Sequence, residues 1–334
     1  MMRLVKIAIV LGLLWSGYWY AAGYGLRSSI AGWFTAQQAR GWQADYADMS
    51  TSGFPLHHVT TLTSPALADP RTGAAWQADW LHLQSPAIWP GQQTLMFADT
   101  PQRLSYYDQT AVIEAQDMVA ALRLHPGIAL ELDNMALTSG PWTITDNDDG
   151  QVAQANSLTA SMVQTENPET YDFLVDAQQF SPGASLRHLL RGAPSLPAAF
   201  ETLKLDMSVT FDRTWDRSAL EDRRPQPRAI TLRLADLHWG ALRLLAAGQV
   251  TVDETGMPTG EVTFKADNWR EMLAMAQAAG AIPPQAVSPA ERVLNMLAGV
   301  GGNPNALDVT LGFRNGYVTL GPLPLGPAPR LILR

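Results

Sequence analysis

The 334-residue chain has no cysteine, which removes disulfide frameworks, thiolate zinc sites, iron–sulfur clusters and cysteine nucleophiles together. Charge is scarce as well. Asp, Glu, Lys and Arg make up 16% of the residues, against about 25% in an ordinary soluble domain. Lysine nearly vanishes, with Lys6, Lys204 and Lys265 the only three, and the formal net charge is −8. An acidic balance of this kind excludes a nucleic-acid partner held by phosphate contacts. The 46% apolar content supplies a core too large for a disordered chain.

Catalytic signatures are missing too. There is no P-loop, no dinucleotide fingerprint and no G-x-S-x-G elbow; Gly183-Ala184-Ser185 lacks the second glycine, and its serine reads as a helix cap. The histidines are His57, His58, His82, His125, His188 and His238, and none has the i, i+4 spacing of a helical metal pair. On a strand, His57 and His58 face opposite sides and cannot share a metal. Asp146-Asn147-Asp148-Asp149-Gly150 resembles the start of a calcium loop, but the twelfth position is Ser157 where a bidentate glutamate is needed. That segment reads as a polar hairpin turn between Ile144 and Val152. The carboxylates Asp45 and Asp48 have no evident reason to meet across a cleft. No catalytic, cofactor-binding or metal-ligating residue is assigned, and no cofactor is expected.

What is present begins with an uncharged run from Ile7 to Leu26. A helix of about 20 residues crosses a hydrocarbon core of roughly 30 Å. Arg3 and Lys6 precede it and Trp15, Tyr18, Trp19, Tyr20 and Tyr24 crowd its far half. Basic residues stay cytoplasmic and aromatic rings rest at the interface, which predicts an exported body. Bulky rings around Ala21-Ala22-Gly23 favour a retained signal-anchor over a cleaved signal. The expected division is a cytoplasmic tail at 1–6 and a transmembrane signal-anchor at 7–26. An amphipathic helix at 27–41 carries Leu26, Ile30, Trp33 and Phe34 on one face up to Gly41. An exported β-rich domain follows at 42–334, either one curved unit or halves at 42–150 and 151–334. Residues 1–27 hold Arg3, Lys6 and Arg27 and no acid, so the exported part carries 20 basic against 31 acidic residues, a formal −11.

After Gly41 the period changes from helical to alternating. From Leu203 to Phe211 five apolar side chains alternate with Lys204, Asp206, Ser208 and Thr210, the pattern of an antiparallel strand with one wet face. Val250 and Val252 lead through Asp253–Pro258 to Val262 and Phe264, and Leu307–Phe313 meets Asn315-Gly316, a hairpin signal. Ile128–Leu137 and Ile230–Trp239 echo one another, with a bulge expected at Asp133-Asn134 and at Ala235-Asp236; this suggests two repeated β-units. Short helices are expected at 185–191, from Asn268 with capping-box spacing, and from Ser288-Pro289. Residues 216–227 read as an exposed loop. The class is α+β and β-rich: a transmembrane helix followed by curved antiparallel sheets of hairpins and meanders.

The anchor, Gly53-Phe54-Pro55 after a first strand, Gly248-Gln249-Val250-Thr251-Val252-Asp253 and Gly256-Met257-Pro258-Thr259-Gly260 carry a resemblance. With the helical pair and the ending Asn315-Gly316-Tyr317 through Gly321-Pro322-Leu323-Pro324-Leu325, the chain resembles the domain of unknown function 2125 family, found in alphaproteobacteria. The resemblance implies fold and location and brings no reaction or catalytic residue. More distantly, the chain is similar to AsmA-type envelope proteins, which implies a link to lipid transport. The sequence reading is therefore a non-enzymatic inner-membrane protein, anchored through residues 7–26, that binds or guides a lipid or amphiphile. The alternative is a scaffold for another envelope protein. An enzyme assembled around His57, His82 or Asp45 comes third.

Overall fold

One helix, α1 (Met2–Ala39), runs without a break through the segments that the sequence separates into span and amphipathic helix. The computed structural model describes residues 1–89, 91–107, 109–146, 150–183, 197, 199–278, 287–288, 291–292, 294–296, 298, 305–321 and 323–333. No proline interrupts α1, and Gly41 at φ 91° ends it in the left-handed conformation that glycine adopts without penalty. Residues 1–14 are exposed, whereas Trp15, Trp19, Gly23, Leu26, Ile30, Phe34 and Gln37 recur every three or four positions as a half-buried to buried stripe. That stripe docks on the body.

The strands β1 (Gln43–Asp45) and β2 (Asp48–Ser52) come first, and three long hairpins follow, each bent once. The first runs β3 (His57–Thr63), β4 (Ala66–Asp69), β5 (Ala74–Gln77) and β6 (Trp80–Pro86). The second is β7 (Gln92–Phe97), β8 (Gln102–Tyr106), β9 (Gln109–Ala115) and β10 (Val119–Leu124). The third is β11 (Leu132–Ser139), β12 (Trp142–Asp146), β13 (Gly150–Ala155) and β14 (Ser157–Gln164). The outer strands pair in the order β2-β3-β6-β7-β10-β11-β14 and found a large antiparallel sheet. The inner strands pair as β1-β4-β5-β8-β9-β12-β13 in a smaller one. Both ladders continue through residue 150, since β12 pairs with β13 and β11 with β14.

At the corners, Ser64, Asp117 and Gln179 take φ near 50° (50°, 50° and 52°), and Ala78, Ala98, Ala115 and Ala155 are buried. Where a strand leaves one sheet for another, backbones converge, and only small side chains fit between them. The long strand β15 (Thr170–Pro182) closes the smaller sheet, pairing with β14 along most of its length and with β13 at Ser181 and Pro182.

From there the large sheet is a meander: β16 (Phe200–Phe211), the short helix α2 (Ser218–Glu221), β17 (Pro227–Trp239), β18 (Leu242–Val252) and β19 (Pro258–Asp267). Helix α3 (Trp269–Ala278), β20 (Ala306–Arg314), β21 (Tyr317–Leu320) and β22 (Leu323–Pro327) complete it. The expected hairpins at Val252–Pro258 and Asn315-Gly316 are present, as is the half-wet strand at 203–211. Its polar face carries ion pairs, Lys204 with Asp176 at 3.5 Å and Arg233 between Asp172 at 2.9 Å and Asp206. Its apolar face joins Met162, Tyr171, Val209 and Phe211 in one core cluster, and further along Trp269 and Leu273 of α3 cover Ala266 and Leu307. Tyr171 is fully buried and its hydroxyl donates to Leu132 O at 3.2 Å and accepts from the Trp215 N–H at 3.2 Å.

The expected bulge at Asp133 is there: Arg123 faces Asn134 and Leu124 faces Leu132. In β17 the extra residue against β16 is Arg233, earlier than the Ala235-Asp236 expected, because Asp206 faces Leu234 and Met207 faces Leu232. The shift sets Arg233 on the wet face between its two aspartates. Ile128 and Leu130 precede β11 as an exposed loop, so the 128–144 and 230–244 segments are not equivalent copies. The repetition that the fold does show is the bent hairpin. The loop expected at 216–227 holds α2. The helix expected at 185–191 lies outside the described residues, as does part of the one from Ser288, whose described positions are helical.

One defect in α1 gives a test. Gln37 is fully buried and both side-chain polar atoms have no partner among the described residues. An unpaired buried amide costs about 1–3 kcal/mol. Gln37→Leu is therefore expected to raise the urea unfolding midpoint of the full chain, and an unchanged or lower midpoint would show that the amide is satisfied.

Candidate functional site

The site is built where α1 leaves its apolar run and meets the β-body. Trp19 is the pivot: it is 5% exposed, its Nε1 donates to His57 O at 2.9 Å, and its ring stacks on His58 at 4.7 Å between centroids. His58 is itself buried, with Nε2 at 3.0 Å from Trp19 O. Gly23 follows one turn on, and a Cβ there would stand 3.3 Å from His58 Cδ2, so the helix lies close on β3. Trp15 Nε1 donates to Pro55 O at 3.1 Å and Tyr18 Oη to Ala87 O at 2.8 Å. These three rings, expected to rest at a lipid interface, thus spend their polar atoms on carbonyls of the body. Tyr20 and Tyr24 remain exposed.

Further along, Phe34 packs with Ala44 and Leu62 in a cluster that Ile30, Trp33, Trp42 and Leu67 extend. Beside this cluster opens a cavity of about 680 Å³. Its floor is a row of the smaller sheet, Leu67, Trp76 and Leu104, which face one another in register across β4, β5 and β8. Trp33 and Trp42 form one wall, and Ala219 and Leu333 stand among the opposing residues. Trp76 is oriented by its Nε1, which donates to Gln102 Oε1 at 3.2 Å, while Gln102 Nε2 donates to Ala98 O at 3.3 Å.

The polar part of the lining is Arg71, Arg223 and Arg224 with Thr72, Asp69 and Asp222. Burial opposes the charge on Asp69, but the Arg71 backbone N–H and guanidinium and the Thr72 hydroxyl outweigh it and hold its carboxyl below the usual range. Asp212 is held down in the same sense: burial is overcome by the Gln226 N–H and by Arg223 and Arg228. Arg223 is thereby pinned at 2.8 Å from Asp212, whereas Arg224 has no ion-pair partner among the described residues. Arg40 at the end of α1 reaches Glu221 at 3.7 Å, and Gln226 exchanges two bonds with Leu333 at 2.8 and 3.0 Å. The lining is therefore tied to both ends of the chain. Chemically the cavity offers an apolar, aromatic floor and a mixed rim of three arginines and two aspartates, in which Arg71 and Arg223 are already paired with Asp69 and Asp212.

The residues around which an enzyme was considered stand apart. His57 pairs with Pro86, His82 with Thr61 four positions along the same ladder, and Asp45 with Ala66 in the other sheet. His82 stacks on Trp80 at 4.1 Å, and burial lowers its pKa. His125 lies 2.7 Å from Gln164 Oε1 and His238 3.1 Å from Glu201; His188 is outside the described residues. Among the described residues no group of three or more His, Asp and Glu side chains could hold a metal ion. Of the cavity residues, sequence reading reached Trp33 as part of an amphipathic helix and 219–224 as part of an exposed loop, and joined neither to a site. The floor could have been found only by pairing alternating strands that are far apart in the chain.

The family model described as "Uncharacterized protein conserved in bacteria (DUF2125)" matches residues 19–329. The chain belongs to that family. No match is found among curated proteins. Met2–Ala39 is the one helix among the described residues long and apolar enough to cross a membrane, with a mean hydropathy of 1.5 over its most apolar window.

Proposed function

We propose that this chain is a non-enzymatic, single-pass membrane protein whose β-body binds an anionic amphiphile in the cavity beneath α1. The observation that carries the reading is the lining: Leu67, Trp76 and Leu104 in one row, with Arg71, Arg223 and Arg224 nearby. A volume of about 680 Å³ falls within the roughly 300–1,000 Å³ usual for small-molecule sites. An acyl chain suits the floor, and a carboxylate or phosphate head suits a bidentate contact with Arg224, which has no ion-pair partner among the described residues. In this reading the N-terminus is cytoplasmic and the body periplasmic, which Arg3 and Lys6 ahead of the apolar run support through the positive-inside rule. A scaffold that recruits a partner strand at the sheet edge is less well supported, because the terminal strand β22 carries Pro324 and Pro327, which lack N–H donors.

The test is lipid extraction and mass spectrometry of the full chain, purified in a detergent that exchanges annular lipid. Wild type is expected to retain an anionic amphiphile in near-stoichiometric amount. Trp76→Glu, which puts a carboxylate on the apolar floor, is expected to lose at least about tenfold of it, equivalent to 1.4 kcal/mol. Equal lipid in both, or none in wild type, would overturn the reading.

A further inference from the structure

The large sheet has one edge where its strands turn in hairpin tips, and the tips change character along it. The β2–β3 tip is Gly53-Phe54-Pro55-Leu56, with Phe54 and Leu56 exposed. The β6–β7 tip presents Ile88 at 67% and Trp89 at 60% exposure, and the β10–β11 tip presents Ile128 at 92% together with exposed Leu130. The next tip, between β14 and β15, is Thr165-Glu166-Asn167-Pro168-Glu169, and the one between β18 and β19 begins Asp253-Glu254. The tips at 53–56 and 87–89 are apolar throughout. The third is bonded through Ala129 O to the Arg217 N–H of the 212–226 connection, which meets Arg40 at the far end of α1, and acidic tips follow in strand order.

The first two tips are bonded to the helix. Trp15 Nε1 holds Pro55 O and Tyr18 Oη holds Ala87 O, at 3.1 and 2.8 Å. The tips therefore lie level with residues 15–18 of the apolar helix. From Met2 to Tyr18 the helix rises about 24 Å, about 6 Å short of a roughly 30 Å hydrocarbon core. Arg3 and Lys6 reach the headgroups by snorkelling, and local thinning with sinking of the tips makes up the difference. With the span drawn at 7–26, the docked body would be deep in hydrocarbon, including the polar ends of β2 and β3. Ending the span near Tyr18 places Trp15, Tyr18, Tyr20, Phe54, Leu56, Ile88 and Trp89 in one interfacial layer, where aromatic rings are most stable.

We infer that the tips at 53–56 and 87–89 are a second membrane contact, inserted in the leaflet from which α1 emerges, with lipid bilayer as their partner. The inference rests on the reading that α1 spans that bilayer. The tips sink about 5–10 Å, to the headgroup–acyl boundary, as amphipathic membrane elements do. Acidic Glu166 and Glu169, repelled by anionic headgroups, mark where the edge lifts away.

The absence of cysteine makes the test site-specific. Leu56→Cys and Ile88→Cys in the full chain would each be spin-labelled and reconstituted into phosphatidylcholine and phosphatidylglycerol vesicles. Collisions with oxygen, which dissolves in lipid, would be compared with those of a water-soluble nickel chelate. Leu11→Cys reports on the span and Glu166→Cys on the water-facing edge. The expected result is an oxygen-to-nickel ratio at positions 56 and 88 several-fold above that at 166, with position 11 higher still. A tip ratio equal to that at 166 with position 11 in lipid overturns the second contact alone. A low ratio at position 11 overturns the spanning reading instead. Labels shielded from both reagents would mean that protein covers the tips, and would also overturn the inference.

Discussion

Gly248→Ala is expected to destabilise the meander half of the large sheet severely. Gly248 faces Val262 across the β18–β19 ladder, and a Cβ there would lie 2.3 Å from Glu261 O and 2.6 Å from Val262 Cα. Gly260 stands in the reciprocal position at φ 145°: its Cβ would lie 2.2 Å from Gln249 O. The obstructing atoms are backbone on both sides. They cannot rotate aside as the end of a side chain would, so relief requires separating two strands that ten register pairs hold together. Overpacking a core usually costs about 1–3 kcal/mol, and a clash with main chain belongs at or above the top of that range. Against a total stability of about 5–15 kcal/mol such a loss is severe. Gly326→Ala is the control, since nothing lies within 4 Å of its Cβ position. Urea unfolding of the two variants measures the difference. A midpoint for Gly248→Ala no lower than for Gly326→Ala would refute the close approach.

Trp19→Ala is expected to release α1 from the body. The substitution removes a buried indole, its bond to His57 O and its stack on His58, and truncating a buried aromatic costs about 3–5 kcal/mol. The helix stays membrane-competent, because the exposed run before residue 15 is untouched; what is lost is its grip on β3. Hydrogen exchange at His57–Leu62 should accelerate and protease should cut between residues 20 and 40, while the meander strands keep their protection. Trp19→Phe, which keeps a ring and loses the donor, should fall between. Unchanged exchange at β3 in Trp19→Ala would mean that the stripe from Ile30 to Gln37 suffices for docking.

The hairpins and the half-wet strand were legible because each is a local matter. Asn315-Gly316 and Asp253–Pro258 are turn chemistry, and 203–211 is simple alternation. The corners were not legible, since a strand that bends from one sheet into another keeps its alternation on both sides of the bend. Ser64, Asp117 and Gln179 carry no composition that announces a left-handed backbone. The aromatic cluster at 15–24 was legible only in part for a related reason: an interfacial belt and a docking stripe use the same residues, and the bonds to the carbonyls of residues 55, 57 and 87 show that Trp15, Trp19 and Tyr18 also dock. The cavity was hidden most completely. Its lining comes from residues 33–42, 67–76, 104, 219–224 and 333, and no window along the chain contains enough of it to form a pattern.

Each bent hairpin contributes two adjacent strands to both sheets at once, so it is a unit of length. At about 4.8 Å between strands, adding or deleting one would move everything beyond it by about 10 Å without altering the strands on either side. The beginning of the fold, gripped by α1, and its end, the meander under α3, would be unaffected by the change. A protein built this way can be lengthened or shortened in fixed steps, with one end held by α1 and its reach set by the number of steps.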